Sequence, residues 1–322
     1  MNRSAVEDCP SPPHPQKRRQ PLPGHAPKDI LDDPRAPAAI QAILESPAYR
    51  EADQDIDFLQ EEDSRGLRLQ LEYLKVDSGL RKHNVRHTIV VFGGTRIVEP
   101  SAASRQLEQA KASLEADPSN AEMKQTLSIA QRVHAKSNYY DLAREFGRLV
   151  GLSGKGACGG EMLIMTGGGP GIMEAANRGA SDVGAKSIGL NISLPHEQFP
   201  NPYVTPELCF KFRYFALRKL HFLLRARALV AFPGGFGTMD ELFEVLALSQ
   251  TRKTPPVPVV LVGESYWRQV FDPDFLFREG VIDAEDLELF WFAETASDAW
   301  RGILRWYEKK GEPLCEMDGS DT

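Results

Sequence analysis

Short runs of consecutive apolar residues alternate along this chain with longer stretches in which apolar residues recur every three or four positions. A short apolar run predicts a strand buried on both faces, and the three-to-four spacing predicts a helix. Strands are predicted at 88–92, 162–165, 187–192, 229–232, 257–262 and 290–292. Helices are predicted at 138–150, 172–180, 209–226 and 296–309. This alternation predicts an α/β fold, a doubly wound parallel sheet of the Rossmann-like type with right-handed crossovers.

The segments around this alternating pattern suggest how the chain is divided. Pro-rich composition predicts a disordered tail over residues 1–36, and apolar stripes predict an N-terminal helical segment over 37–84. The strand–helix pattern occupies residues 85–310 and has a helical insertion at about 101–134, because a proline-containing turn interrupts a long helical stretch there. Residues 311–322 are expected to form a flexible C-terminal tail.

The charge, hydropathy and cysteine content of the chain argue against several kinds of binding partner. A formal net charge of −7 argues against a general nucleic-acid binder, whose binding face is basic. No stretch is long and apolar enough to span a membrane, and the N-terminus lacks the apolar core of a secretory signal. We therefore expect a cytoplasmic protein with no membrane partner. The four cysteines lack the paired spacing of a zinc site, so no metal is expected.

Three glycine-rich turns, Gly93-Gly94, Gly167–Gly171 and Gly234–Gly237, each follow a predicted strand. The carboxyl ends of parallel strands meet at one edge of the sheet, and ligands bind there where the strand order reverses. Each turn alone is typical of a tight strand–helix connection, but three on one edge favour a nucleotide site. Gly234–Gly237 also precede a predicted helix, whose free N–H groups and dipole suit a phosphate.

The kind of nucleotide follows from features that these turns lack. The second turn has only the first two glycines of GxGxxG, with Glu174 at the third position. The strand after it ends without the acidic residue that holds the adenosine ribose in NAD enzymes. The chain also lacks GxxxxGK[ST], the phosphate loop of many ATPases. A mononucleotide therefore fits the turns better.

Three motifs resemble one known family in their residues, order and spacing. Pro233–Glu241 fits PGGxGTxxE in full, Gly167–Met173 resembles GGGxxGxM, and Phe215–Phe222 resembles the family's Arg-Lys helix. Together they resemble the LOG (Lonely Guy) family of cytokinin riboside 5′-monophosphate phosphoribohydrolases, whose members are often mislabelled lysine decarboxylases. The resemblance covers roughly residues 88–307.

The resemblance implies hydrolysis of the N-glycosidic bond of a nucleoside 5′-monophosphate, AMP or a cytokinin riboside monophosphate, to free base and ribose 5-phosphate. The family's catalytic Arg and Glu fall on Arg218 and Glu241. Members are commonly homodimers in which a neighbouring subunit contributes to the pocket, so a homodimer or higher homo-oligomer is expected, with no cofactor. The first turn, Gly93–Arg96, differs from the cysteine-glycine-serine type of short plant-like members.

The residue types fit these roles. Glycosidic cleavage passes through a ribose of cationic character, which the Glu241 carboxylate could stabilise while it orients a water or the ribose hydroxyls. The planar fork of Arg218 could anchor phosphate or ribose. The residues expected to bind substrate and phosphate are Gly94, Thr95, Gly168, Gly169, Lys219, Gly234, Gly235, Gly237 and Thr238.

The same residues also have purely structural interpretations. Thr238 could cap its helix, and Thr238-x-x-Glu241 matches a capping box, which would explain both residues by helix stability. Arg218 could be one of several solvated cations on a basic helix.

Two other classes of protein remain open. A non-catalytic carrier of a nucleotide or of molybdenum cofactor would use the same fold, although a carrier has no need of a carboxylate beside the sugar. A pyridoxal phosphate-dependent lysine decarboxylase is disfavoured, because no lysine stands in a recognisable Schiff-base setting and Lys219 lies on an arginine-rich helix.

Overall fold

The computed structural model describes residues 11–24, 26–156, 158–195 and 199–314. The chain divides into two compact units between Arg68 and Leu69. The second unit therefore includes most of the helix before the first strand, which the sequence pattern assigned to the N-terminal segment. Parts of both predicted tails, residues 1–10 and 315–322, lie outside the described residues.

The first unit contains short helices joined by turns. They are α1 (Ala36–Glu45) and α2 (Ile56–Gln60), and α3 (Arg65–Lys82) begins in this unit and ends in the second. Pro37 stands in the first turn of α1, where its missing N–H leaves no hydrogen bond unmade. The described residues before Ala36 form neither helix nor strand.

The second unit is built on one parallel sheet. Its described residues form seven strands: β1 (His87–Phe92), β2 (Met162–Thr166), β3 (Ser187–Ile192), β4 (Cys209–Phe212), β5 (Ala226–Ala231), β6 (Val259–Val262) and β7 (Phe290–Ala293). The strand order is β4-β3-β2-β1-β5-β6-β7, and every pairing is parallel. The helices of this unit that follow α3 are α4 (Pro100–Ala116), α5 (Ala121–Ala135), α6 (Asn138–Lys155), α7 (Ile172–Asp182), α8 (Phe215–Leu224), α9 (Phe236–Gln250), α10 (Glu264–Val270), α11 (Pro273–Arg278) and α12 (Ala296–Lys310). The predicted α/β fold with a doubly wound parallel sheet is confirmed.

The prediction of a single helix over 209–226 is wrong. Residues 209–212 form β4, which pairs with β3 at the edge of the sheet, and α8 begins only at Phe215. In β4 the buried Phe210 and Phe212 flank the exposed Lys211, which is the alternation of a half-buried strand. Four alternating residues directly before a helical pattern give too short a signal to separate the two elements.

α4 and α5 occupy the stretch in which the sequence pattern predicted a helical insertion. The two helices pack against each other. The Asn120 side chain caps α5 by accepting from the Glu122 and Met123 amides, over 3.0 and 3.2 Å. This cap starts the second helix directly after the proline-containing turn.

Each face of the sheet carries its own apolar core, since successive strand residues point to opposite faces. Ile89 and Val91 belong to the core formed with α6, α7 and α12, and Val90 and Phe92 belong to the core formed with α3, α8 and α9. β2 and β5 lie on opposite sides of β1, so the strand order reverses between β1 and β5. The carboxyl ends of these two strands are therefore the expected place for a ligand. No helix in the described ranges combines the length and apolar character of a membrane span.

Candidate active site

The three glycine-rich turns meet at the carboxyl ends of β1 and β5. The Gly94 amide donates to the Pro233 carbonyl over 2.9 Å, and the Ile172 amide donates to the Gly94 carbonyl over 3.2 Å. Gly171 permits this close approach, because its φ is +74° and a Cβ there would lie 2.7 Å from the Thr95 carbonyl oxygen. The structure thus places Gly94 directly beside the turn that follows β5, and Thr95 beside Gly171 in the turn that follows β2.

The turn after β5 leaves its backbone N–H groups open. α9 begins at Phe236 with Gly235 as its N-cap, and no side chain caps it. The amides of Gly235, Phe236 and Gly237 have no acceptor among the residues that the structure describes. A Cβ at Gly235 or Gly237 would meet no atom within 4 Å, so packing within the chain does not require these glycines. Open space before a helix N-terminus with free N–H groups suits a phosphate.

Gly234, in contrast, is required by close contacts. A Cβ on it would lie 2.7 Å from the Thr238 Cβ and 3.0 Å from the Gly94 nitrogen. The Tyr266 hydroxyl from α10 donates to the Gly234 carbonyl over 2.5 Å. The turn is therefore fixed from both sides before any ligand binds.

Thr238 is not the helix cap, which corrects that part of the sequence prediction. Gly235 takes the N-cap position, and Thr238 is the third residue of α9. No capping box joins Thr238 to Glu241, because α9 has no side-chain cap. The Thr238 side chain is 6% exposed, lies over Gly234, and its hydroxyl has no hydrogen bond to the described residues. A hydroxyl without a protein partner beside the open amides is a candidate donor to a ligand.

Glu241 is a buried carboxylate on the same helix. Its side chain is 7% exposed and makes no hydrogen bond to the described residues. Burial raises the pKa of Glu241 to about 7, and the charges of Arg218 and Lys219 only partly oppose this rise. The structural interpretation explained Glu241 by a capping interaction, which α9 does not have. Helix stability therefore gives no reason for a buried acid without a hydrogen bond at this position.

Arg218 reaches from α8 to the ends of β2 and β3. Its Nε donates to the Leu190 carbonyl over 2.7 Å, and its guanidinium lies 5.2 Å from the centre of the Phe222 ring. The guanidinium also fills the space beside Gly167, where a Cβ would overlap it. Burial lowers the pKa of Arg218, and the charge of Glu241 opposes this fall. Arg218 is therefore a fixed, half-buried group that interacts with Glu241, unlike a solvated cation.

Lys219, the next residue, forms ion pairs with two carboxylates of α9. Its Nζ lies 2.8 Å from Asp240 and 3.2 Å from Glu244. Partial burial works against its charged form, but these two partners outweigh burial and raise the pKa of Lys219. A phosphate-binding role for Lys219 stays a prediction, and these ion pairs give the residue a separate task in joining α8 to α9.

The turn after β2 is packed by side chains that the sequence did not single out as ligands. Gly168 has a φ of +69°, and the Asn191 amide fills the space beside its Cα. Asn201 donates from its backbone to the Gly168 carbonyl over 2.9 Å and from its side chain to the Gly169 carbonyl over 3.0 Å. Gly168 and Gly169 thus have a packing role, and their contact with a nucleotide stays a prediction. Asn201 lies in a stretch read only as loop, where no spacing marks it.

Fold and site together define an α/β protein with a turn of free backbone amides at the switch point of its sheet, beside a buried carboxylate that interacts with a half-buried guanidinium. The family model described as "Possible lysine decarboxylase" matches residues 173–303, which include α8 and the turn after β5. The matched region covers less than half of the chain.

Curated relatives carry the enzyme names. "Probable cytokinin riboside 5′-monophosphate phosphoribohydrolase LOG4" of Oryza sativa subsp. japonica is 30% identical over 139 residues, 42% of this chain and 59% of that protein. "Cytokinin riboside 5′-monophosphate phosphoribohydrolase LOG3" of Arabidopsis thaliana is 28% identical over 164 residues, 48% of this chain and 74% of that protein. Among solved structures, the Moco Carrier Protein from Chlamydomonas reinhardtii matches with a TM-score of 0.40 and 21% identity, covering 70% of this chain and 99% of that one. The resemblance to the LOG family is confirmed, although the curated matches span only about half of this chain.

Proposed function

We propose that this protein hydrolyses the N-glycosidic bond of a nucleoside 5′-monophosphate, AMP or a cytokinin riboside monophosphate, to the free base and ribose 5-phosphate. The observation that carries the proposal is the Glu241 carboxylate, which is buried and unpaired among the described residues on the helix that starts at the open turn. A protein that only held an anion would gain nothing from a buried acid so close to it. In the reaction, a water oxygen bonds to C1′ while the C1′–N bond breaks. The base leaves with the bonding electrons and takes up a proton.

The phosphate is assigned to the open turn. The free amides of Gly235, Phe236 and Gly237 and the hydroxyl of Thr238 supply donors, and the dipole of α9 favours negative charge at this end. Because Tyr266 and Gly94 already fix the turn, little ordering is needed when the phosphate binds.

Glu241 is assigned to the cationic ribose. As the glycosidic bond breaks, positive charge develops at C1′, and a carboxylate nearby stabilises it more than it stabilises the neutral sugar. One electrostatic group of this kind contributes on the order of 10² to 10³ in rate. With a pKa of about 7, the carboxyl group changes its charge near neutral pH, so it can also orient or deprotonate the attacking water.

Arg218 is assigned to positioning the sugar phosphate and to the charge state of Glu241. The Leu190 carbonyl fixes one N–H of the guanidinium and leaves its remaining donors for phosphate or ribose oxygens. The positive charge also favours the ionised form of Glu241 against the effect of burial.

The proposal includes a homodimer or higher homo-oligomer. Exposed apolar side chains on α8 and α9, namely Phe215, Leu220, Leu224 and Phe243, support a partner subunit that packs against these helices. Nucleic acid and membrane have no part in the proposal, and a cytoplasmic location remains a prediction from the sequence.

Product analysis across a panel of nucleoside 5′-monophosphates tests the proposal, with the matching nucleosides as controls. Release of free base and ribose 5-phosphate from the monophosphates, and none from the nucleosides, is the expected result. Tight binding of AMP without base release from any nucleotide would favour the carrier class instead.

A further inference from the structure

Arg96 is an exposed cation next to the open turn. It lies two residues after Gly94, whose amide bonds to the Pro233 carbonyl, and two residues span at most about 7 Å. Its backbone position is well fixed, because the Gly94 and Thr95 carbonyls pack against Gly171 and the next residue, Ile97, is 7% exposed. The Arg96 side chain itself has no hydrogen bond or ion pair with the residues that the structure describes.

Two further cations, Arg218 and Lys219, lie on α8 beside the turn. Lys219 is in ion pairs with both Asp240 and Glu244, and the charge of Arg218 interacts with that of Glu241. Three carboxylates of α9 thus face two cations of α8. A phosphate monoester adds about two negative charges near neutral pH, and the helix N-terminus offers the equivalent of only about half a positive charge. Arg218 and the helix N-terminus therefore do not by themselves balance the charge of a phosphate monoester.

We propose that Arg96 supplies this cation, binding the 5′-phosphate of the substrate across the turn after β5. This inference rests on the proposed function for the identity of the phosphate ester. The guanidinium fork can donate two parallel hydrogen bonds to phosphate oxygens. The backbone amides of the turn would bind the same phosphate from the α9 side. A cation on a fixed loop with a free side chain provides selectivity for nucleotides over nucleosides.

Affinity and turnover are measured for the wild type, Arg96→Ala and Arg96→Lys, with Arg105→Ala as the matched control. Arg105 is also an exposed arginine, but it lies on α4 outside the turns. Titration calorimetry measures the affinity of each protein for AMP and for ribose 5-phosphate. Adenosine serves as the analogue without phosphate. We expect Arg96→Ala to weaken AMP and ribose 5-phosphate binding about tenfold, from the loss of a charge-assisted hydrogen bond.

For turnover, Arg96→Ala should raise KM for AMP with kcat changed less than about twofold, since uniform binding is removed. Arg96→Lys should recover part of the affinity, and raised salt should weaken AMP binding more in the wild type than in Arg96→Ala. Arg105→Ala should behave as the wild type.

Equal affinity of the wild type and Arg96→Ala for AMP and ribose 5-phosphate would overturn the assignment, whatever the enzyme's activity. Wild-type protein that binds AMP but releases no base would overturn the proposed function alone. The ratio of the AMP affinities of the wild type and Arg96→Ala would still test the assignment of Arg96.

Discussion

Replacement of Glu241 by Gln should make the folded protein more stable at alkaline pH while it abolishes base release. Gln has almost the shape of Glu and no charge, so the substitution removes the carboxylate and leaves the packing of α9 in place. The two expected effects have opposite signs, because the same burial that destabilises an ionised acid makes it useful to a cationic ribose.

The magnitude follows from the pKa of Glu241, which burial raises from 4.5 to about 7. At 1.36 kcal/mol per pH unit, ionising this group in the folded protein costs about 3 kcal/mol more than in the unfolded chain. Between pH 4.5 and 7 the folded chain binds more protons than the unfolded chain, so wild-type stability falls as the pH rises through this window. The glutamine variant lacks this fall.

Thermal or urea unfolding at pH 5 and pH 8 measures the effect. At pH 5 the two proteins should agree within about 1 kcal/mol, and at pH 8 Glu241→Gln should be more stable by up to about 3 kcal/mol, or roughly 6–12 °C in Tm. Glu115→Gln, the same change at an exposed position of α4, should show no such pH dependence. A stability difference that stays constant between the two pH values would refute the raised pKa. Base release by Glu241→Gln at the wild-type rate would remove Glu241 from catalysis.

Two further predictions concern the same site, and a third concerns residues 1–36. The kcat/KM for AMP should rise with pH through about 7 as Glu241 ionises, and a flat profile from pH 5.5 to 8.5 would contradict its role as a carboxylate. Gly237→Ala should stabilise the fold by about 0.4–1 kcal/mol, since a Cβ there meets no atom within 4 Å, yet weaken AMP binding because the methyl group enters the phosphate space; unchanged calorimetric affinity would place the phosphate elsewhere. Deletion of residues 1–36 should leave base release unchanged, and a substantial loss in the same assay would assign that segment a part in activity.

The architecture was predictable because each central strand is a short, continuous apolar run. The patterns at 88–92 and 187–192 locate β1 and β3 to within a residue, since both strands are buried on both faces over most of their length. β4 escaped prediction for the opposite reason. It is an edge strand of four residues, exposed on one side, and its alternation merges into the start of α8.

The site was predictable as a set of motifs but not as an electrostatic arrangement. The glycine pattern and Glu241 stand in one continuous motif, whereas the depth of Glu241 and its interaction with Arg218 depend on how α8 packs beside α9. Thr238 shows the limit of local rules, because the capping-box spacing is present but Gly235 takes the N-cap position. Asn201 contacts Gly168 and Gly169 across more than thirty residues of sequence, and no local pattern encodes such a contact.

The position of Glu241 on α9 fits differential binding of the transition state. Glu241 follows Gly237 by four residues, which places it about 6 Å further along the helix axis and on the same face. A carboxylate there repels a bound phosphate in the ground state, and the dipole of α9 with Arg218 reduces that repulsion without removing it. When the ribose becomes cationic, the same carboxylate is attracted to it, so its contribution changes sign along the reaction. Glu241→Gln should therefore bind AMP at least as tightly as the wild type, and a large loss of AMP affinity in that variant would mean that Glu241 holds the substrate and does not act on the transition state.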